Sequence, residues 1–450
     1  MILRKLTVAA ACCTTLLAGC GGGGGGSNAV VTPSVSNSSY IVVAWNDLGM
    51  HCLNPTYDTA VILPPYNTVW AQVIKRGTPP QVVTSGVTVS YRILNNTTSQ
   101  KSQAGKFDFT QFWANSLKLF GITPALDKGL NLEPGGPSNG LSGTMVAKGD
   151  HFQVNGIPVV PYEDGSTVRN PYQVAEITVK DASGAVVAQT RATVPTSEEI
   201  NCGKCHLGAT VTDVFNDVLT KHDLWQATTP RLMNSKPVLC ASCHGSPALG
   251  TTGPGSSGKY LSEAIHGFHA GPNVRVKPTC YDCHPGASTK CNRSTKHTSA
   301  DGNCVTCHGD LATVASTIAS GARIPWVSEP KCSSTNCHSG TIPQVDTGAT
   351  LYRNAIGHGG VYCAGCHGSP HAMVPSNVAS DNYQALQYQG KTYVLGDCRV
   401  CHSTSGGGGS NFAKEHTGKN SACNICHTGF LNAANTANYP HQFQWNKTRR

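Results

Sequence analysis

Seven copies of Cys-x-x-Cys-His, all beyond residue 200, constrain this chain more than any other feature. They are Cys202/Cys205/His206, Cys240/Cys243/His244, Cys280/Cys283/His284, Cys304/Cys307/His308, Cys363/Cys366/His367, Cys398/Cys401/His402 and Cys423/Cys426/His427. On one helical turn the first Cys and the His are four residues apart and share a face. Two thiols so placed can form thioethers to the two vinyl groups of a haem while the His binds iron from the same side. This is the c-type haem attachment motif. At this Cys and His content, chance would supply roughly 0.04 copies. Paired CxxC motifs also build zinc ribbons, but the His directly after every second Cys argues against zinc.

An eighth site is less regular. Cys332-Ser-Ser-Thr-Asn-Cys337-His338 has four residues between its cysteines and falls in the widest gap between motifs, from His308 to Cys363. The longer loop can still reach both vinyls by bulging; a disulfide beside an unrelated His is the alternative. Eight covalent haem c groups are therefore expected. They would supply bulk that side chains alone do not, since 39% of residues are apolar and only 7% aromatic.

The proximal iron ligands are then His206, His244, His284, His308, His338, His367, His402 and His427. Eight further His lie in the same region: His222, His266, His269, His297, His358, His371, His416 and His441. The match of eight with eight predicts six-coordinate, bis-His haems. Methionine ligation raises haem potential, and only Met233 and Met373 lie here, so a low-potential set is expected. Each single His has a surface alternative, and spacing does not assign the pairs. The segment Leu261–His269 reads as a short helix with Ser262 at its N-cap and Gly271-Pro272 ending it. His266 and His269, at i and i+3, would lie on one face at different heights. Each could ligate a different haem, so the helix would act as a clamp.

The N-terminus reads as an export address. Arg4 and Lys5 precede a short apolar stretch, Leu6 to Leu17, too short to span a bilayer. Leu17-Ala18-Gly19-Cys20 resembles a lipobox, in which Cys20 is lipidated and becomes the mature N-terminus; residues 1–20 are the expected lipoprotein signal peptide. Six glycines follow Cys20, and residues 21–39 read as a Gly/Ser-rich tether. The residue after the Cys is Gly21, which in the lipoprotein family favours the outer membrane. The formal charge of +9 does not point to nucleic acid, because every haem would add two propionates.

Residues 40–198 hold one Cys (Cys52) and two His (His51, His151). Alternating, β-branched stretches at Tyr40–Trp45, Val82–Leu94, Tyr172–Val179 and Val186–Val194, the last pair joined by Ala182-Ser183-Gly184, predict a β-sandwich-like domain. One helix is expected near Phe109–Phe120. Residues 199–450 hold 16 of the 18 His and 17 of the 21 Cys. Strand patterns vanish there, so an octahaem cytochrome c domain of short helices and coil wrapped around covalent haems is expected. Cys52 and Cys291 are left over, as a disulfide or as two thiols. His51 and His151 read as structural, with His51 a spare ligand. Met50-His51-Cys52 has copper-ligand types, but adjacent residues rarely converge on one metal.

On these motifs, on Cys366–Met373 (CHGSPHAM) and His266–Pro272 (HGFHAGP), and on Asn46–Cys52 with Leu63–Asn67, the chain resembles the outer-membrane multihaem c-type cytochrome lipoproteins of metal-respiring bacteria. The resemblance implies electron transfer at the outer membrane, on its periplasmic face or at the cell surface. The implied partners are periplasmic or outer-membrane cytochromes and extracellular electron acceptors, with no nucleic acid. A multihaem oxidoreductase acting on a small nitrogen or sulfur substrate is the alternative. It would need one haem with an open sixth position, which the ligand tally does not leave, and no residue is assigned as catalytic. Fold and cofactor alone do not fix function.

Overall fold

The computed structural model describes residues 38–403, except 78, 134–135, 228–229, 287, 299–303, 333 and 335–349. Its N-terminal part is β-rich. Strands β1 (Tyr40–Trp45), β2 (His51–Cys52), β3 (Ala60–Val61), β4 (Asn67–Lys75), β5 (Gln81–Val83) and β6 (Val87–Ile93) come first. Two short strands, β7 (Ser102–Gln103) and β8 (Phe107–Asp108), pair with each other and lead into helix α1 (Thr110–Phe120). There follow β9 (Ser142–Thr144), β10 (Val146–Ala147), β11 (Phe152–Ile157), β12 (Tyr172–Asp181), β13 (Val186–Ser197) and, beyond the sandwich, β14 (Val238–Leu239).

Two five-stranded sheets form. One has the order β1-β4-β11-β10 with β5 against β4, the other the order β2-β13-β12-β6-β9. Alternation explains how they meet. Val42 and Ala44 of β1 and Val69, Ala71 and Val73 of β4 point to one side, where they share a buried core with Val89, Tyr91, Ile93, Ala175, Ile177, Val179 and Val194 of the second sheet. That is sandwich packing. The longest hairpin is made by the Ala182–Gly184 turn: Gly184 has φ +86° and donates to Asp181, the left-handed position that favours glycine. The stretch Val82–Leu94 is two strands instead of one, because Gly86 at φ +72° turns the chain between them.

The other face of the first sheet is also buried. Ile41, Val43, Trp45, Trp70 and Ile74 pack against Tyr362, Ala364 and Val400, which come from the Cys/His-rich segment. The second sheet reaches that segment too. Thr190 and Thr193 of β13 bond Gln387 and Ser380, and Glu199, just past β13, accepts from Ser288 and from the Thr289 amide. Among the described residues, contacts therefore run across the boundary expected near residue 198.

The Cys/His-rich part contains α2 (Val211–Gln226), α3 (Leu261–Ala270), α4 (Cys304–His308), α5 (Leu311–Ala319), α6 (Cys363–His367) and α7 (Tyr383–Gln389), joined by 3₁₀ turns and coil. Helix α2, at 16 residues, is longer than expected. Thr210 and Asp213 close a reciprocal capping box at its start, and Phe215 and Leu219 bury its inner face against Ala60.

Candidate functional site

Each Cys-x-x-Cys-His motif within the described residues is built on a single turn. Cys304–His308 and Cys363–His367 are α-helical, while Cys202, Cys240, Cys280 and Cys398 open 3₁₀ turns. In three of the latter the turn is closed by the amide of the motif His donating to the carbonyl of the first Cys: His206 to Cys202 (2.8 Å), His244 to Cys240 (3.1 Å) and His284 to Cys280 (2.8 Å). The i to i+4 relation that sets thiol and imidazole on one face is thus present in the backbone. Thr279 and Asp282 cap the third motif reciprocally.

The two cysteines of a motif do not share one environment. The first thiols, Cys202, Cys240, Cys280 and Cys304, are half-buried, whereas the second, Cys205, Cys243, Cys283 and Cys307, are exposed. Turn geometry gives the reason. The second Cys directly precedes the His and so lies about 100° around the turn from it. When the first Cys and the His face inward together, the second thiol is carried toward solvent. Cys366 and Cys401 differ and are half-buried, because their motifs lie under the first sheet, where Ala364, Val400 and Cys401 join its apolar cluster.

The imidazoles are held by one nitrogen. Nδ1 of His206 meets Asp217 at 3.0 Å, that of His244 meets the Ser257 hydroxyl at 2.8 Å, and that of His297 meets Ser294 at 3.2 Å. His266 bonds the Ser262 carbonyl at 2.7 Å, His269 the Ile265 carbonyl at 2.8 Å, and His371 the Leu48 carbonyl at 2.9 Å. A ring that donates Nδ1–H to a carbonyl carries its lone pair on Nε2, the arrangement found for metal-bound histidine. Ser262 thus lies inside the helix, with its hydroxyl 3.1 Å from His266. The N-cap is Tyr260, which makes no side-chain cap bond, and Ser262, expected as the cap, instead holds the His266 ring. Gly271 ends the helix as expected.

Three motif histidines each have one of the further His rings beside them. The centroids of His222 and His244 are 6.3 Å apart, those of His266 and His284 6.1 Å, and those of His308 and His371 6.2 Å. Imidazole nitrogens bind transition metals at about 2.0–2.1 Å. With roughly 1.1 Å more from nitrogen to ring centre, two rings trans across one metal stand about 6.2–6.4 Å apart. The observed spacings fit one iron between each pair. The ring planes are inclined by 77° in the first pair and by 18° and 26° in the others. His269 lies near enough to His206 to act on its basicity, so α3 faces two different motifs.

Electrostatics favour the neutral ring. Desolvation by the surrounding chain, with help from His266 and His371, lowers His284 to about 4, although the residue as a whole is exposed. Burial, with His371, Arg323 and His284, lowers His308 to about 4. Burial also lowers His266, His222 and His371. Unprotonated imidazole is the form that ligates. Among the described residues no three or more His, Cys, Asp or Glu side chains converge; the imidazoles converge in twos, as many as an iron already held by a porphyrin takes from protein.

The remaining candidates are placed as follows. Cys332 is exposed, while Cys337, His338, His416, Cys423, Cys426, His427, His441 and Cys20 lie outside the described residues. His358 begins a 3₁₀ turn, and Cys401 packs at the edge of the interface cluster under the first sheet. His51 is buried and paired with Asp47 at 2.9 Å. His151 is paired with Asp150 at 2.7 Å and stacked on Trp70 at 4.4 Å. No disulfide joins Cys52 to Cys291.

Sequence reasoning missed Leu48, Gly49, Arg293 and Asp381, which surround His371. The signal for Leu48 and Gly49 is the segment Asn46–Cys52, whose residue types assign it no task, and no sequence signal marks Arg293 or Asp381. No family model matches the chain, and neither a curated protein nor a solved structure matches it.

Proposed function

We propose that this protein is an electron-carrying multihaem c-type cytochrome, with haem c bound covalently at eight sites and low-potential bis-His ligation at most of them. The observation that carries the reading is the spacing of three imidazole pairs, His222/His244, His266/His284 and His308/His371, at 6.1–6.3 Å. Bound haem supplies a one-electron iron couple. The chain's own residues do the rest. The motif cysteines would fix the cofactor covalently, and the paired imidazoles would supply the iron's protein ligands. Asp217, Ser257 and the Ser262, Ile265 and Leu48 carbonyls hold the rings. Filled axial positions favour transfer of electrons over chemistry on a substrate, which needs an open one.

Anchoring at the outer membrane through a lipidated Cys20, with redox proteins or extracellular acceptors as partners, rests on the N-terminal sequence and the family resemblance. One measurement checks cofactor and anchor together. The intact mass of the purified holoprotein is expected to equal the chain from Cys20 onward plus its acyl groups and eight haems. A mass with seven haems would remove the Cys332/Cys337 site. Little or no haem would overturn the reading, and an unacylated mass would remove the anchor.

A further inference from the structure

The distal candidate His371 is not held by its own segment. Its Nδ1 meets the carbonyl of Leu48, in the loop after β1 of the sandwich, at 2.9 Å. That loop is tied at both ends. Asn46, almost fully buried, accepts from the Gly49 amide at 2.7 Å and the Leu48 amide at 3.2 Å, and donates to Asn67 and to the Thr68 carbonyl, both at 2.7 Å. Gly49 has φ +79°, and a Cβ there would stand 2.9 Å from the backbone nitrogen of His371 and 3.2 Å from Cβ of Ser369. Both the conformation and the close approach therefore require glycine. Arg293, at 1% exposure, locks the two sides together. It donates to the Gly49 carbonyl at 2.7 Å and forks onto Asp381 at 2.8 and 3.1 Å, and its own amide donates to the His371 carbonyl at 2.7 Å. A buried guanidinium with its carboxylate and carbonyl partners in place is a rigid, costly-to-break fixture.

We propose that the Asn46–Gly49 loop, braced by Arg293 and Asp381, is the positioning device for His371 and sets the redox potential of the iron held between His371 and His308. The inference rests on the reading of that pair as axial ligands. A carbonyl accepting from Nδ1–H makes Nε2 a stronger donor, which stabilises ferric over ferrous iron and lowers the potential. The sandwich thus tunes one haem through a single carbonyl.

The test uses the full-length holoprotein and three variants, His371→Ala, Gly49→Ala and Asn46→Ala, read by haem count, ferric EPR and potentiometric titration. His371→Ala is expected to convert one low-spin haem to high-spin. Gly49→Ala and Asn46→Ala are expected to keep every haem attached and low-spin, with one potential shifted upward and the others unmoved. If His371→Ala leaves all haems low-spin, the axial pair itself is wrong and the inference goes with it. If His371→Ala gives the high-spin haem but both loop variants leave all potentials unmoved, the pair stands and the inference fails. Should the loop variants not mature, proton NMR of the native ferric protein decides. The hyperfine-shifted Nδ1–H resonance that His371→Ala abolishes is expected to exchange slowly with solvent, and rapid exchange would overturn the proposal.

Discussion

An imidazole becomes a useful ligand when one nitrogen is already committed, and at the scale of residues this protein commits Nδ1 repeatedly. Acceptors are drawn from whatever lies nearest: a helical carbonyl four residues back for His266 and His269, a carboxylate for His206, a remote loop carbonyl for His371. The pairs differ in ring inclination, and this has a spectroscopic consequence. Near-parallel axial rings split the iron d-orbitals rhombically, whereas near-perpendicular rings leave two of them almost degenerate and give a strongly anisotropic low-spin ferric EPR signal. The 77° inclination of His222 and His244 predicts one such signal, lost in His222→Ala together with the appearance of a high-spin species. If that signal persists in the variant, His222 is not the partner of His244. The single-turn geometry of the Cys-x-x-Cys-His motifs was legible in the sequence because their spacing fits one turn. The approach of His222 to His244, or of His371 to His308, was not legible, because it is delivered by tertiary packing that no local spacing encodes. The exposure of Cys205, Cys243 and Cys307 was hidden for the same reason: spacing says that two thiols flank one turn, not which of them the rest of the chain covers.

Among the elements, α3 carries the most chemistry for its length. His266 faces His284 at 6.1 Å, and His269 lies beside His206. Ten residues of helix therefore address two attachment motifs that are far apart in sequence. A rigid helix fixes two imidazoles in mutual register, one rise per residue at a time, and under the proposed function it would fix the spacing of the irons that they ligate. Single substitutions test this. His266→Ala and His269→Ala are each expected to create one high-spin haem, at different midpoint potentials, and the double variant two. An unaltered low-spin spectrum in either single variant would reduce the clamp to an ordinary one-ligand helix. The helix itself was legible from its terminating Gly271-Pro272. Its start was misjudged because Ser262 has the residue type of a cap, yet its hydroxyl and carbonyl both serve His266. The capping box of α2 at Thr210 and Asp213 was equally present in the sequence; an amphipathic face with few large apolar residues kept it from being read.

For the molecule as a whole, alternation in β1 and β4 has a double use. Even-numbered β1 residues such as Val42 build the sandwich core, while Ile41, Val43 and Trp45 cover Tyr362 and Ala364 at the fifth CxxCH motif and Val400 within the sixth. The change in composition near residue 198 is real in the sequence, but it marks a change of chemistry, and the packing crosses it. A fragment of residues 201–450 would lose the sheet that covers Tyr362 and Val400, the Leu48 carbonyl that holds His371, and the Glu199 carboxylate that accepts from Ser288 and Thr289. Each large apolar side chain re-exposed costs about 1.5–3 kcal/mol, and a folded domain has only about 5–15 kcal/mol in hand. Several such losses together are comparable with the whole margin. The proposed covalent attachment depends on the local turn and would survive. The exported fragment is therefore expected to carry its haems but to be cleaved readily by protease and to show high-spin iron that the full chain lacks. A fragment as protease-resistant and as fully low-spin as the full-length protein would mean that the boundary near residue 198 separates two independent domains, and that the sandwich holds none of the ligands in place.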